Sequence, residues 1–364
     1  MQIFVLLRTK IISMFENREK RTELSELGEF KLIDRLTKNV TTRQKTTVFG
    51  IGDDAAILNF EEKQVLLSTD LLIEGVHFDM SYMPLKHLGY KAVMVNLSDI
   101  AAMNAIPTQI TVGMAVSSKY SVEALEEIYA GMLLACEKYK VDLVGGDTTS
   151  STSGLMLAIT VLGEASAKDI VKRSTAKSGD LIVVSGDLGA AYAGLLLLER
   201  EKAVFKKDQS IQPDLGGHEY VLERQLKPEA RVDMVNRFAD MKLLPTSMID
   251  ISDGLASEIL HLCEDSGLGC NVYEEKIPID PQTVTVAELF NIHPVTCALN
   301  GGEDYELLFT VSQSDFEKIN GQGEFYIIGH MTETGSPKNL ISNSGEAIPI
   351  SAQGWDGIKN KDKA

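Results

Sequence analysis

The chain has 364 residues, 44% hydrophobic and 24% charged, the proportions of an ordinary globular protein long enough for two domains. Its 35 basic and 52 acidic side chains give a formal charge of −17, which argues against general binding to DNA or RNA, where a basic face supplies most of the affinity. No apolar run approaches the roughly 20 residues that span a bilayer, and four cysteines without C-x-x-C spacing predict a reducing cytoplasm rather than a disulfide framework.

Residues 1–13 are apolar with Arg8 and Lys10 inside them. That core is too short for a signal peptide, so the stretch reads as an extension without a catalytic role, or as an upstream start, and 1–27 is set apart as an N-terminal extension. A short helix is expected over 29–36, then strands over 46–60 and 64–70. The apolar runs 55–58 and 65–67 are expected to pair as a hairpin, which would bring Asp53, Asp54 and Asp70 to one sheet edge. Carboxylates that close require a cation or a proton, and Mg²⁺ prefers such oxygens.

Residues 85–103 carry apolar side chains at three- and four-residue steps and predict a long helix, with Asn96 and Asp99 on one face. A strand over 109–116 follows, then a helix over 121–139 capped by Ser121. Residues 141–144 read as a strand ending in G-G-D-T-T, and 155–162 as another. The order implies an α+β sheet with helices on one face. Composition turns polar over 165–179, which places the boundary between a first domain, 28–165, and a second α/β domain, 166–364. In the second, strands are expected over 181–185, 247–251, 307–311 and 324–328. Helices are expected over 190–200, 229–240 and 254–266, with a polar loop over 201–217 to which no role is assigned.

The acidic pattern recurs at Asp99, Asp147, and Asp250 with Asp253. Singly, each fits a turn, a helix cap or a solvated face. Together they suit phosphoryl transfer from ATP, in which Mg²⁺ ions bridge phosphate oxygens. Ser68 and Thr69 would add neutral oxygens, Gly145 and Gly146 would let backbone approach a phosphate, and Arg173 would offer a fork of donors. There is no G-x-x-x-x-G-K-[ST], no H-R-D and no D-F-G. Composition and spacing thus reach a Mg²⁺-phosphate enzyme and leave its substrate open.

The ordered motifs G-I-G-D-D-A-A (50–56), S-T-D-x-x-x-E-G-V-H-F (68–78), N-L-S-D-x-A-A-M (96–103), G-G-D-T (145–148), D-I-S-D-G-L (250–255) and G-G-E-D-Y-E-L (301–307) resemble those of the thiamine-monophosphate kinase family. The resemblance implies ATP-dependent conversion of thiamine monophosphate to thiamine diphosphate. It also implies the two-domain fold shared with aminoimidazole ribonucleotide synthetase, a homodimer formed by the N-terminal domains, and ATP in a cleft between domains. It assigns Asp54, Ser68, Thr69, Asp70, Asp99, Asp147, Asp250 and Asp253 to several Mg²⁺ ions. Gly146, Asp147, Arg173, Ser252 and Tyr129 go to ATP, and His77, Glu303 and Trp355 to thiamine monophosphate. Trp355, the only tryptophan, suits stacking or a cation–π contact with the thiazolium.

One departure is Asn104, where the family usually has Gly after A-A-M; Asn tolerates left-handed φ, so the turn should survive. Two alternatives remain. A relative of the same fold acting on a purine precursor is disfavoured by G-G-E-D-Y-E-L and Trp355. A catalytically silent Mg²⁺-nucleotide sensor is disfavoured by the intact acidic positions.

Overall fold

The computed structural model of the protein describes residues 35–49, 57–58 and 64–352. They divide into two units, one running to Ile100 and resuming at Ile106–Ser166, the other formed by Ala101–Ala105 and the chain from Ala167 onward.

In the first unit β1 (Thr47–Phe49) pairs with β2 (Ile57–Leu58). The chain continues through β3 (Gln64–Ile73), α1 (Leu85–Ala102), β4 (Ile106–Val116), α2 (Val122–Tyr139), β5 (Asp142–Ser150) and β6 (Leu155–Ala165). Four strands form a sheet in the order β3-β6-β4-β5, antiparallel except for β4 with β5. The helices lie on one face. Leu66, Leu72, Leu157, Ile159, Ile110 and Val112 point into the core beneath them, as the period of two requires. α1 is apolar nearly all round because it is buried nearly all round. Its contact with α2 is backbone to backbone: a β-carbon on Gly89 would lie 1.8 Å from the Ile128 carbonyl oxygen, and one on Gly131 1.9 Å from that of Lys86. Ser121 caps α2 by accepting from the Ala124 amide, as expected.

The second unit runs β7 (Leu181–Ser185), α3 (Ala190–Lys207), α4 (Glu219–Leu226), α5 (Val232–Asp240), β8 (Ser247–Asp250), α6 (Leu255–Ser266), β9 (Gly269–Tyr273), α7 (Pro281–Leu289), α8 (Pro294–Asn300), β10 (Leu307–Val311), β11 (Phe325–Thr332), β12 (Lys338–Ile341) and β13 (Ala347–Pro349). Its seven strands take the order β13-β12-β9-β11-β7-β10-β8. Alternation along β7 feeds two cores. Ile182 and Val184 join Leu255, Ile259 and Leu262 of α6. Val183 joins Met234 and Phe238 of α5, where Phe238, Phe309 and Phe325 meet with ring centroids 5.1–5.9 Å apart.

Several expectations are corrected. Among the described residues the expected hairpin between 55–58 and 65–67 is not seen: β2 pairs with β1, and β3 pairs along its whole ten-residue length with β6. β5 does not end at Val144 but continues through Gly145–Ser150 beside β4. α3 runs on to Lys207 through the segment expected to be loop, supported by the Lys202–Glu199 pair at 2.9 Å and by Lys206 and Lys207 at its negative end. α4 and the elements β9, α7, α8, β12 and β13 were not legible. Asn104 does adopt left-handed φ, 55°, and its Nδ2 donates to the Asp169 carbonyl at 2.8 Å.

Candidate active site

In the first unit, β3 and α1 bring the acidic motifs together. Ser68 and Asp70 lie on the helix-covered face of β3, and Asn96 and Asp99 lie on the face of α1 above them. Ser68 Oγ donates to Asp99 Oδ2 at 2.5 Å, and the Asp70 amide donates to Asn96 Oδ1 at 2.9 Å. Asn96 Nδ2 is tied to the Ala92 carbonyl at 3.0 Å. Burial raises the Asp70 carboxyl above its ordinary value, with the His77 imidazole working against the rise. His77 Nδ1 accepts from the Ile73 amide at 3.0 Å, which leaves Nε2 as the proton-bearing nitrogen of the neutral ring.

The turn that carries His77 is clamped by Glu74. Glu74 Oε2 accepts from the Tyr120 hydroxyl at 2.7 Å and the Leu155 amide at 2.9 Å, and Oε1 pairs with Lys119. Burial pushes the Glu74 carboxyl up, but the Lys119 and Tyr120 hydrogen bonds outweigh it and hold the group below its usual value. Sequence reasoning passed over Glu74 although it stands inside the E-G-V-H-F motif.

Three first-unit candidates stand elsewhere. Alternation turns Thr69 to the other face of β3, where its hydroxyl donates to the Ile159 carbonyl at 3.0 Å and meets Thr160 Oγ1 at 3.1 Å. Asp147 is on β5, the opposite edge of the sheet from β3. Three inter-strand steps separate their backbones by roughly 14 Å, and the register puts Asp147 level with Leu71, on the face away from Asp70. Gly146 has a packing reason of its own, since a β-carbon there would lie 2.1 Å from the Val112 carbonyl oxygen. Tyr129 is buried in α2, which pushes its phenol up to about 12.

In the second unit, the loop after β8 and the loop before β10 are bonded along their length. The Glu303 amide donates to the Ser252 carbonyl at 2.7 Å, the Tyr305 amide to that of Ile251 at 2.9 Å, and the Ile251 amide to that of Glu306 at 2.8 Å. Glu303 and Tyr305 have left-handed φ, 60° and 52°. Such a conformation costs about 1–3 kcal/mol in a non-glycine residue and persists only where surrounding bonds over-determine it. Gly302 makes the approach possible, as a β-carbon there would lie 2.6 Å from the Ser252 carbonyl oxygen. Asp250 closes β8, and Asp253 precedes α6, whose Glu258 turns back so that Oε1 accepts from the Asp253 amide at 3.0 Å. Arg173 pairs with Asp265 at 2.6 Å on a half-exposed surface, and its carbonyl accepts from Ser247 Oγ at 2.9 Å.

Behind Glu303 lies a buried ionic network. Glu306 Oε1 accepts from Arg224 Nη1 at 2.9 Å, and Oε2 accepts from Arg231 Nη1 at 2.5 Å and Ser185 Oγ at 2.8 Å. Asp304 accepts from the Gly189 and Ala191 amides at the start of α3 at 2.7 and 3.4 Å, with Arg224 Nη2 4.0 Å away. Burial raises the Asp304 carboxyl to about 7 against those opposing donors. It also works against the charged Arg224, but Glu306 and Asp304 more than compensate and raise its pKa.

Two family models match the chain: "AIR synthase related protein, N-terminal domain" over residues 52–165, and its C-terminal counterpart over 177–339. Two curated relatives are thiamine-monophosphate kinases. That of Buchnera aphidicola subsp. Schizaphis graminum is 36% identical over 330 residues, 89% of this chain and 97% of the relative. That of Bacillus subtilis (strain 168) is 33% identical over 341 residues, 92% and 100% of the two. The chain belongs to the thiamine-monophosphate kinase family. A solved structure of AaThiL complexed with AMPPCP and TMP matches 92% of this chain and 99% of its own, at 32% identity and a TM-score of 0.70. The likeness runs through both units.

The Mg²⁺ ions that the thiamine-monophosphate kinase motifs imply can be tested against the donor set. The side chains around Asp70 and Asp250 offer oxygen, the chemistry of a hard cation. Glu258 Oε2 is buried without a hydrogen-bond partner, and burial, together with the nearby Asp253 and Asp250, lifts the Glu258 carboxyl to about 8. A cation there would satisfy the oxygen and relieve the repulsion. Among the described residues no three His, Cys, Asp or Glu gather tightly enough to hold an ion by themselves. Glu258 was missed from sequence because it reads as an ordinary first-turn acid of α6. The expected ligands Asp54 and its neighbour Asp53, and the substrate contact Trp355, lie outside the described residues.

Proposed function

We propose that this chain phosphorylates thiamine monophosphate to thiamine diphosphate with ATP as donor. The observation that carries the reading is the match to thiamine-monophosphate kinases over nine-tenths of the chain, with the motif loops bonded to one another in each unit. A terminal phosphate oxygen of thiamine monophosphate attacks the γ-phosphorus of ATP, the bond from that phosphorus to the β-phosphate oxygen breaks, and ADP leaves. The attacking oxygen is already anionic, so no protein nucleophile or base is needed, and positioning dominates.

Bound Mg²⁺ ions would neutralise and align the phosphate oxygens. Asp54, Ser68, Asp70 and Asp99 are assigned to hold them in the first unit, and Thr69 and Asp147, on the opposite face of the sheet, are assigned the same role there. Asp250 and Asp253, backed by Glu258, are assigned the same role in the second. Gly146, Asp147, Tyr129, Arg173 and Ser252 are assigned to ATP, and His77, Glu303 and Trp355 to thiamine monophosphate. His77 presents Nε2–H, a donor suited to an anionic substrate oxygen.

We also assign the first unit to a homodimer contact. Val65, Leu67, Leu71 and Ile73 of β3 and Met156 of β6 form one apolar sheet face, with Leu67 69% and Leu71 50% exposed. A contiguous apolar face of this kind marks an interaction surface. Among the described residues no helix is long and apolar enough to cross a membrane, and the four thiols are free, in keeping with action in the cytoplasm.

The test is incubation of the purified protein with ATP, Mg²⁺ and thiamine monophosphate. Thiamine diphosphate and ADP in equal amounts are expected. Turnover of another acceptor with no thiamine diphosphate would overturn the reading.

A further inference from the structure

Gln225 lies outside every acidic motif, yet it holds a motif residue. It stands near the end of α4, 4% exposed, and its Nε2 donates to Glu303 Oε2 at 2.8 Å. The left-handed backbone of Glu303, tied to Ser252, fixes where that side chain begins, and Gln225 fixes where it ends. The helix that carries Gln225 is itself locked. Arg224, the preceding residue, donates through Nη1 to Glu306 and through Nη2 to the carbonyls of Asp187 and Asp304 at 3.1 and 3.3 Å. Tyr220, one turn earlier, donates to the Asp187 carboxylate at 2.7 Å. Gly194 lets α3 approach closely, since a β-carbon there would lie 2.1 Å from the Val221 carbonyl oxygen.

We propose that Gln225 is a positioning residue for the phosphate acceptor: it aims the Glu303 carboxylate at the cationic or amino-bearing ring of the substrate while leaving its charge intact. The proposal rests on the reading of Glu303 as a substrate contact. The choice of donor is the chemical argument. Glu306, three residues on, is clamped between two guanidinium groups, which orient its carboxylate and cancel its charge. The Gln225 amide orients Glu303 without bringing a countercharge of its own. Fixing its rotamer before binding removes an ordering cost that the substrate would otherwise bear.

The experiment is steady-state kinetics on the full-length protein with ATP, Mg²⁺ and thiamine monophosphate, using Gln225→Leu, Gln225→Glu, Glu303→Gln and the double variant Gln225→Leu/Glu303→Gln. Loss of a hydrogen bond to a charged group predicts that Gln225→Leu raises KM for thiamine monophosphate about tenfold, with KM for ATP unchanged. In Gln225→Glu the new carboxyl donates the same bond while protonated and repels Glu303 once ionised. Its KM for thiamine monophosphate therefore climbs with pH where the wild type does not, a signature that a merely structural role would not give. If Gln225→Leu fails to fold, this pH profile decides. The double variant should be no worse than Glu303→Gln alone. Equal rises in both KM values for Gln225→Leu, or a flat profile for Gln225→Glu, would overturn the proposal while Glu303→Gln still impairs the acceptor. An unchanged acceptor KM in Glu303→Gln would instead remove the underlying reading of Glu303, and the proposal with it.

Discussion

The two units treat their carboxylates differently. In the first, Asp99 accepts from the neutral Ser68 hydroxyl, the Asp70 backbone amide donates to Asn96, and burial raises the Asp70 carboxyl. In the second, Asp304 and Glu306 are buried among Arg224, Arg231, Ser185 and the N-terminal amides of α3. A carboxylate neutralised by its own fold is part of the architecture. A neutral orienting group adds no countercharge of its own. The second unit contains both kinds within four residues, Glu303 on its amide and Glu306 on its guanidiniums, so sequence proximity does not separate them.

The contrast can be broken from either side. The largest effect is expected for Arg224→Ala, which leaves Glu306 with one guanidinium and strips α4 of its anchor. Breaking a buried ion pair at one partner costs about 3–5 kcal/mol, so denaturant unfolding should show the loss directly. A near-neutral result would mean the network is replaceable and not architectural.

Asp99→Asn is expected to do the opposite, keeping the fold and losing activity. The shape and the Ser68 bond survive while the charge is gone, so kcat/KM should fall about 10²-fold or more with an unchanged melting temperature. Chelation should abolish the same activity and added Mg²⁺ restore it. If Asp99→Asn melts earlier and turns over normally, the first unit's carboxylates are structural after all.

A subtler probe is pH. The Asp304 carboxyl is raised by burial from 3.8 to about 7. Between those values the folded state keeps a proton that the unfolded state has released, so stability falls as pH rises from about 4 to about 7, by up to about 1.4 kcal/mol per pH unit. Arg224 stays charged across that window, and the Cys297 thiol that also faces Asp304 is pushed up to about 11, so neither titrates there; Glu306 is the remaining neighbour. The unfolding free energy of Asp304→Asn should lose this downward slope relative to wild type, and an unchanged slope would assign it to another group.

The smallest effect is expected at Asn104. Asn104→Ala loses the bond to the Asp169 carbonyl and places a β-carbon without a local polar partner at φ 55°, for about 1–2 kcal/mol. Because this turn carries no ligand role, turnover should be unaffected at temperatures below the transition.

The sequence by itself determined the motif set, the family and most first-unit elements, because each is local. Apolar period sets helix or strand, and i,i+3 spacing already put Asn96 and Asp99 on one face. Ser121 as a cap and Asn104 as a left-handed turn were likewise readable from residue type alone. Pairing was not local. That 57–58 meets 47–49, and that 64–73 meets β6 some ninety residues on, is set by contacts between segments that no local pattern encodes. The same limit hid Thr69, whose neighbours Ser68 and Asp70 look equivalent in a list of ligands until the pleat turns Thr69 away. It hid the distance between Asp70 and Asp147, which only strand order sets. Glu258, Gln225 and Arg224 carry no signal in sequence, because an acid in a first helical turn or a polar residue on a short helix is ordinary. Tertiary structure alone decided that these three face the carboxylates of other elements, and burial then turned those juxtapositions into shifted charges and fixed rotamers.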